Sequence, residues 1–159
     1  MQKIVISDSQ TIRLTKPGEY LVVLAQPDIS VTITGRFQAT KSQKKNIAVT
    51  IQHSAPRTVC STSLRGTSAD SALVRFFGRI IIDSGCAQSN SFLEERILLL
   101  SPNARGEAVP ELEILTDDVK CSHAASLSTI DAQQAFYLQS RGLTEAQAQK
   151  LLVESFLQY

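Results

Sequence analysis

Pro110-Glu-Leu-Glu-Ile-Leu-Thr-Asp-Asp-Val-Lys-Cys-Ser-His-Ala-Ala125 is a β-like run that carries a thiol and an imidazole just before the sequence turns helical. Successive side chains of a strand alternate faces, so Cys121 and His123, two apart, point the same way. A thiolate suits zinc and iron–sulfur chemistry, and an imidazole suits zinc, iron and copper. Together they favour a transition metal over a hard cation. Two ligands do not complete a tetrahedral site. A second chain could supply the other two across a twofold contact, which presents one patch twice. The plainer reading, a half-buried Cys beside a hydrogen-bonded His, stays open at this point.

Upstream of this stretch the signal is almost entirely β. Ile4–Ile6, Ile12–Leu14, Tyr20–Leu24, Ile29–Ile33, Ile47–Ile51, Leu73–Phe77, Ile80–Ile82, Arg96–Leu100 and Glu111–Leu115 are short runs rich in β-branched and aliphatic residues. Ile29, Val31 and Ile33 face one way and Ser30, Thr32 and Thr34 the other, as a sheet with one buried face requires. The chain has no Asn-Gly or Asp-Gly hairpin signal. The separators read as polar stretches with a lone glycine, Gly35, Gly66, Gly78, Gly85 or Gly106, which fits the bends of a coiled parallel sheet as well as a sandwich. Recurring Ile/Val/Leu triplets suit stacked rungs that share one interior, and tilt the choice slightly toward a β-helix.

Downstream the period changes. Asp131 with Gln134 predicts a helix start, Gly142 a helix end, and Thr144 with Gln147 a second start. Ala148, Leu151, Leu152, Ser155 and Phe156 then recur at helical spacing. The division expected is a β core over residues 1–127 and an αα-hairpin over 128–159. Two uses of the hairpin's apolar face stay open: a cap on the open end of the β stack, or a docking surface for a partner.

The bulk numbers exclude several classes. The chain has 159 residues and a formal net charge of +1, so there is no electrostatic footprint for nucleic acid or an anionic membrane. Lys41, Lys44 and Lys45 read as a solvated turn. Cys60, Cys86 and Cys121 are odd in number and irregularly spaced, neither a disulfide framework nor a zinc knuckle, which points to a reducing, cytoplasmic setting. No apolar run approaches a membrane span. No phosphate loop, Gly-x-Ser-x-Gly elbow or His-Glu-x-x-His motif is present. Without Trp, a polysaccharide groove lacks its usual aromatic platforms.

Larger strings carry a resemblance. His53-Ser-Ala-Pro56-Arg-Thr58, Leu64-Arg-Gly66, Phe77-Gly78-Arg79-Ile80, Asp83-Ser-Gly85, Arg96–Ser101 and Pro110–Ile114 follow one another in register with the C-terminal part of the SufB/SufD family. So do Asp117-Asp-Val-Lys-Cys121-Ser-His123 and Phe136-Tyr-Leu-Gln-Ser-Arg-Gly-Leu143, in the manner of SufD-like members. These are scaffold subunits of an iron–sulfur cluster assembly machine. The resemblance implies a right-handed parallel β-helix with a C-terminal αα-hairpin. It also implies that two subunits, alike or one of them SufB-like, meet edge to edge near Cys121 and His123. These two residues are then candidates for handling a transient iron–sulfur cluster or bound metal. Phe136, Tyr137, Arg141, Gly142 and Leu143 belong to the segment implied to dock a SufC-like ATPase, which would supply all ATP hydrolysis to a non-enzymatic scaffold. Family members are longer, so the chain reads as a minimal version. Cys60 and Cys86, where Ser and Ala are expected, read as packing residues, with a sulfur relay the other option. His53 reads as a structural histidine, and Asp117 and Asp118 as a solvated turn. The rival function is a structural or regulatory subunit that pairs with a longer SufB-like scaffold and carries no cluster.

Overall fold

Apolar residues at every second position give each long strand one face to bury, and the structure turns all of those faces toward a single interior. The computed structural model describes residues 1–158. Its strands are β1 (Gln2–Ile6), β2 (Gln10–Leu14), β3 (Gly18–Leu24), β4 (Ser30–Ala39), β5 (Lys44–His53), β6 (Val59–Ser68), β7 (Leu73–Ile82), β8 (Asn90–Leu99), β9 (Arg105–Ile114) and β10 (Lys120–Thr129). Odd-numbered strands form one sheet in the order β1-β3-β5-β7-β9, and even-numbered strands a second in the order β10-β8-β6-β4-β2. Every pairing is parallel. The chain therefore crosses from sheet to sheet at each corner and climbs one rung per two strands: a parallel β-helix, as expected.

Register stacks like positions into columns. In the even sheet the inward columns are Val31-Cys60-Ser91-Cys121, Ile33-Thr62-Leu93-His123, Gly35-Leu64-Glu95-Ala125 and Phe37-Gly66-Ile97-Leu127. The odd sheet answers with columns such as Val22-Ile51-Ile80-Leu112 and Leu24-His53-Ile82-Ile114. The inner rungs are sealed: Ile33, Ile47, Ile51, Leu64, Phe76, Ile80, Leu93 and Ile97 are all at 0% exposure.

Four of the five glycines read as separators are instead inside strands. Gly35, Gly66, Gly78 and Gly106 lie within β4, β6, β7 and β9, and only Gly85 is at a corner. Leu73–Phe77 and Ile80–Ile82 are consequently one strand, β7, running through Gly78. The reason is space. A Cβ on Gly66 would lie 2.8 Å from Val74 Cγ1, and one on Gly78 would lie 2.2 Å from Leu93 Cδ2. The true corners use non-glycine residues in the left-handed region: Asp28, Lys41, Arg57, Asp70 and Gln88, with φ between 55° and 61°. They are held by stacking across rungs. Arg57 Nε donates to Asp28 Oδ1 at 2.6 Å, and the Lys41 amide donates to Asp70 Oδ2 at 2.7 Å.

The helices start where their caps predict. Asp131 accepts from the amides of Gln133 and Gln134 at the head of α1 (Ala132–Ser140), and Thr144 with Gln147 closes a capping box on α2 (Glu145–Leu157). Gly142, at φ 96°, follows the α1 C-cap. The hairpin does not cap the open end of the coil. It lies against the outer face of the even sheet, where Arg65 Nη1 donates to the Phe156 carbonyl at 2.6 Å and the guanidinium sits 5.8 Å from that ring's centre. Of the apolar face of α2, Ala148 is fully buried while Leu151 stays 45% exposed. No helix among the described residues is long and apolar enough to cross a membrane.

Candidate functional site

At the last rung the coil stops without a lid. Among the described residues β9 pairs only with β7, and β10 only with β8, so each leaves one edge of backbone groups open. The inward columns continue to this rung but lose their cover. Leu112, Ile114 and Leu127 stand over fully or nearly buried residues and are 40%, 43% and 48% exposed. Cys121 and His123 occupy this rung, in the columns above Ser91 and Leu93. They do share a face, the inward one, at its open end. Cys121 is half-buried and packs against the core, and His123 is exposed.

The other two thiols are different. Cys60 is sealed, its thiol pushed up to about 11 by burial, and its sulfur is 3.6 Å from Thr62 Oγ1. Cys86 is sealed as well, donating to the His53 carbonyl at 3.2 Å, with burial raising its pKa. Burial also raises the thiol pKa of Cys121, though its sulfur alone sits beside open edge backbone.

His53 is far from this rung, fully buried, with Nδ1 2.6 Å from Thr58 Oγ1, which is itself 3.0 Å from Ser89 Oγ. That network ties one corner together. Asp117 and Asp118 lie on an exposed bend before β10. In the hairpin, Phe136 and Tyr137 are 73% and 55% exposed, with the Arg141 guanidinium 5.2 Å from the Tyr137 ring centre. Gly142 is exposed and Leu143 half-buried. Beside Phe136, an open apolar groove is lined by Gln133, Gln134, Tyr137, Leu138 and Leu152.

No group of three or more His, Cys, Asp or Glu side chains suited to hold a metal occurs among the described residues. One chain thus offers two soft donors at an uncovered end. Sequence reasoning passed over two groups beneath them: Ser91 and Glu95, at 1% and 0% exposure, each with side-chain oxygens lacking a hydrogen-bond partner. Burial pushes the Glu95 carboxyl up to about 7. Strand alternation holds the clue to both, since Leu93 and Ile97 demand the interior and Ser91 and Glu95 share their parity.

The sequence that folds this way has relatives. The family model described as "SUF system FeS cluster assembly, SufBD core domain" matches residues 16–156. The chain belongs to the SufBD family. It is 35% identical over 130 residues to the iron-sulfur cluster assembly protein SufD of Bacillus subtilis (strain 168), a stretch that is 82% of this chain and 29% of that protein. Against SufD of Escherichia coli (strain K12) the identity is 35% over 88 residues, 55% of this chain and 21% of the relative. An iron-sulfur cluster assembly SufBD family protein of Mycobacterium leprae (strain TN) is 30% identical over 158 residues, 91% of this chain and 40% of the relative. The chain is SufD-like, and it spans well under half the length of these SufBD relatives.

Proposed function

We propose that this chain is a non-enzymatic scaffold subunit of a Suf-type iron–sulfur cluster assembly complex, acting in the cytoplasm, with its last rung as both dimer seam and cluster-handling site. The observation that carries this reading is the placement of Cys121 and His123: on inward columns, in a terminal rung whose strands each keep an open edge. A twofold contact there pairs two open strand edges and buries Leu112, Ile114 and Leu127. It also brings together two sulfurs and two imidazoles, a donor set suited to iron or to the edge of a cluster. The cluster is cargo in this scheme. The exposed Phe136 and Tyr137, with the adjoining groove, supply an aromatic anchor of the kind that dominates protein interfaces, and a SufC-like ATPase is the occupant we assign to it. ATP-driven motion of that partner would open or rearrange the seam.

Anaerobic reconstitution with iron and sulfide tests the chemistry. Wild type is expected to retain both, and Cys121→Ser to lose most of its uptake. Equal uptake by the two would remove Cys121 from the site.

A second reading rests on the two-donor count. A chain with no three-ligand group of its own suits a structural or regulatory subunit that completes a longer SufB-like partner without carrying a cluster. Exclusive hetero-pairing in a pull-down, without metal uptake by this chain alone, would favour it.

A further inference from the structure

Within its sheet β10 is hydrogen-bonded to β8 alone among the described strands, so the residues directly beneath Cys121 and His123 are the inward row of β8: Ser91, Leu93, Glu95. Paired strands lie ~4.8 Å apart, and same-face residues on one strand ~6.7 Å apart. Ser91 is in register with Cys121, which puts their Cα atoms about 5 Å apart. Glu95 is in register with Ala125 and so lies diagonal to His123, about 8 Å between Cα atoms.

A glutamate carboxylate and an imidazole together span that diagonal. Cys121 is one further step along the strand, beyond direct reach of Glu95. Each polar group of β8 thus addresses one donor of β10: a hydroxyl under the thiol, a carboxylate diagonal to the imidazole.

Both are otherwise unexplained. Neither Ser91 Oγ nor either oxygen of Glu95 has a hydrogen-bond partner, in an interior that shields both from water. Buried polar groups left in that condition are costly and call for a partner. Space for the carboxylate is built in. Gly78 faces it across the interior, where a Cβ would lie 2.7 Å from Oε1, and the last rung places only the Ala125 methyl directly above it.

We infer that Ser91 and Glu95 are positioning residues of the Cys121–His123 site. When a metal is bound, Ser91 would donate its hydroxyl proton to the Cys121 sulfur. Glu95, unpaired in the chain alone, would then accept the ring N–H of His123, turning the other ring nitrogen toward the metal and fixing the tautomer. The inference rests on the reading of Cys121 and His123 as an iron or cluster pair.

Cobalt(II) titration of the intact chain, followed by absorbance, separates the two levels. Wild type is expected to give a sulfur-to-cobalt charge-transfer band that is lost in Cys121→Ser and weakened in His123→Ala. A band that persists unchanged in both variants overturns the pair and the inference with it. With the pair upheld, Glu95→Leu is expected to weaken cobalt binding about 10- to 100-fold. Its unfolding temperature at pH 8 should equal or exceed that of wild type, because an apolar side chain replaces an unpaired carboxylate. Glu95→Gln, which keeps an acceptor oxygen, should recover part of the affinity. Ser91→Ala should shift the charge-transfer band to lower energy, as the sulfur loses a donor. Unchanged cobalt affinity in Glu95→Leu and an unmoved band in Ser91→Ala overturn the inference alone. So does a Glu95→Leu protein that loses stability and affinity together with no recovery in Glu95→Gln, since that is the behaviour of a structural residue.

Discussion

Thr58 Oγ1 lies 2.6 Å from His53 Nδ1 and 3.1 Å from the Ala55 carbonyl, so one hydroxyl ties the imidazole to the corner backbone. The other ring nitrogen of His53, Nε2, is buried with no hydrogen-bond partner. Desolvation brings its pKa down to about 4, against a smaller opposing pull from Asp83. Between pH 6.5 and 4 the unfolded chain takes up a proton that the folded chain refuses, so this group's stability is present above 6.5 and lost as pH falls. Glu95 has the opposite sign. Its folded pKa is raised by burial from the usual 4.5 to about 7, so stability is greatest below 4.5 and lost as pH rises through 7. At roughly 1.4 kcal/mol per pH unit of displacement, each effect is on the order of a few kcal/mol, and over the shared range they nearly cancel. Single variants unmask them. Glu95→Gln should raise the unfolding temperature at pH 8 and leave it nearly unchanged at pH 4.5. His53→Gln should flatten the acid limb of the stability curve below pH 6.5 while lowering stability at neutral pH by about 1–3 kcal/mol through the lost Thr58 partner. Thermal melts across pH 4–8 check both.

At the scale of strands, the interior has little slack. Gly78→Ala puts a methyl against Leu93 and Glu95 from the facing sheet and should cost about 1–3 kcal/mol in urea unfolding. A cost near zero would mean that these two side chains move aside freely. The same crowding explains what was hard to read. Ile29–Ile33 and Ile47–Ile51 announced themselves by alternation and β-branching, and both are strands. β6 did not, because Val59–Ser68 is half Ser and Thr and is recognisable only through its register between β4 and β8. Glycine misled in both directions. It marks close approach inside β6 and β7, while Asp28, Arg57 and Gln88 make the left-handed corners with no glycine signal, held by contacts to the next rung. The shared face of Cys121 and His123 was legible from their spacing. Ser91 and Glu95 were not, because an acidic pair such as Glu94-Glu95 looks solvated until the register turns one member inward.

For the whole molecule, on the proposed reading, the uncovered last rung is the place where stability, assembly and cluster handling meet. An apolar column that ends in Leu127 at 48% exposure is unfinished without a second surface. Leu127→Lys should therefore shift the chain toward monomer in light scattering, by repulsion of paired charges at the seam, while leaving its circular dichroism unchanged. The end of α2 is anchored on β6, two strands away from β10 in the even sheet, so on the proposed reading a docked ATPase and a paired subunit can use different surfaces. The most direct test of the seam uses the thiols themselves. Cys60 and Cys86 are sealed, and Cys121 alone is half-open. A short thiol-specific bis-maleimide added to the self-associated protein should give a covalent dimer in wild type and none in Cys121→Ser. A dimer that persists without Cys121, or monomer-only labelling of Cys121 in a protein that is demonstrably dimeric, would contradict a seam at the last rung.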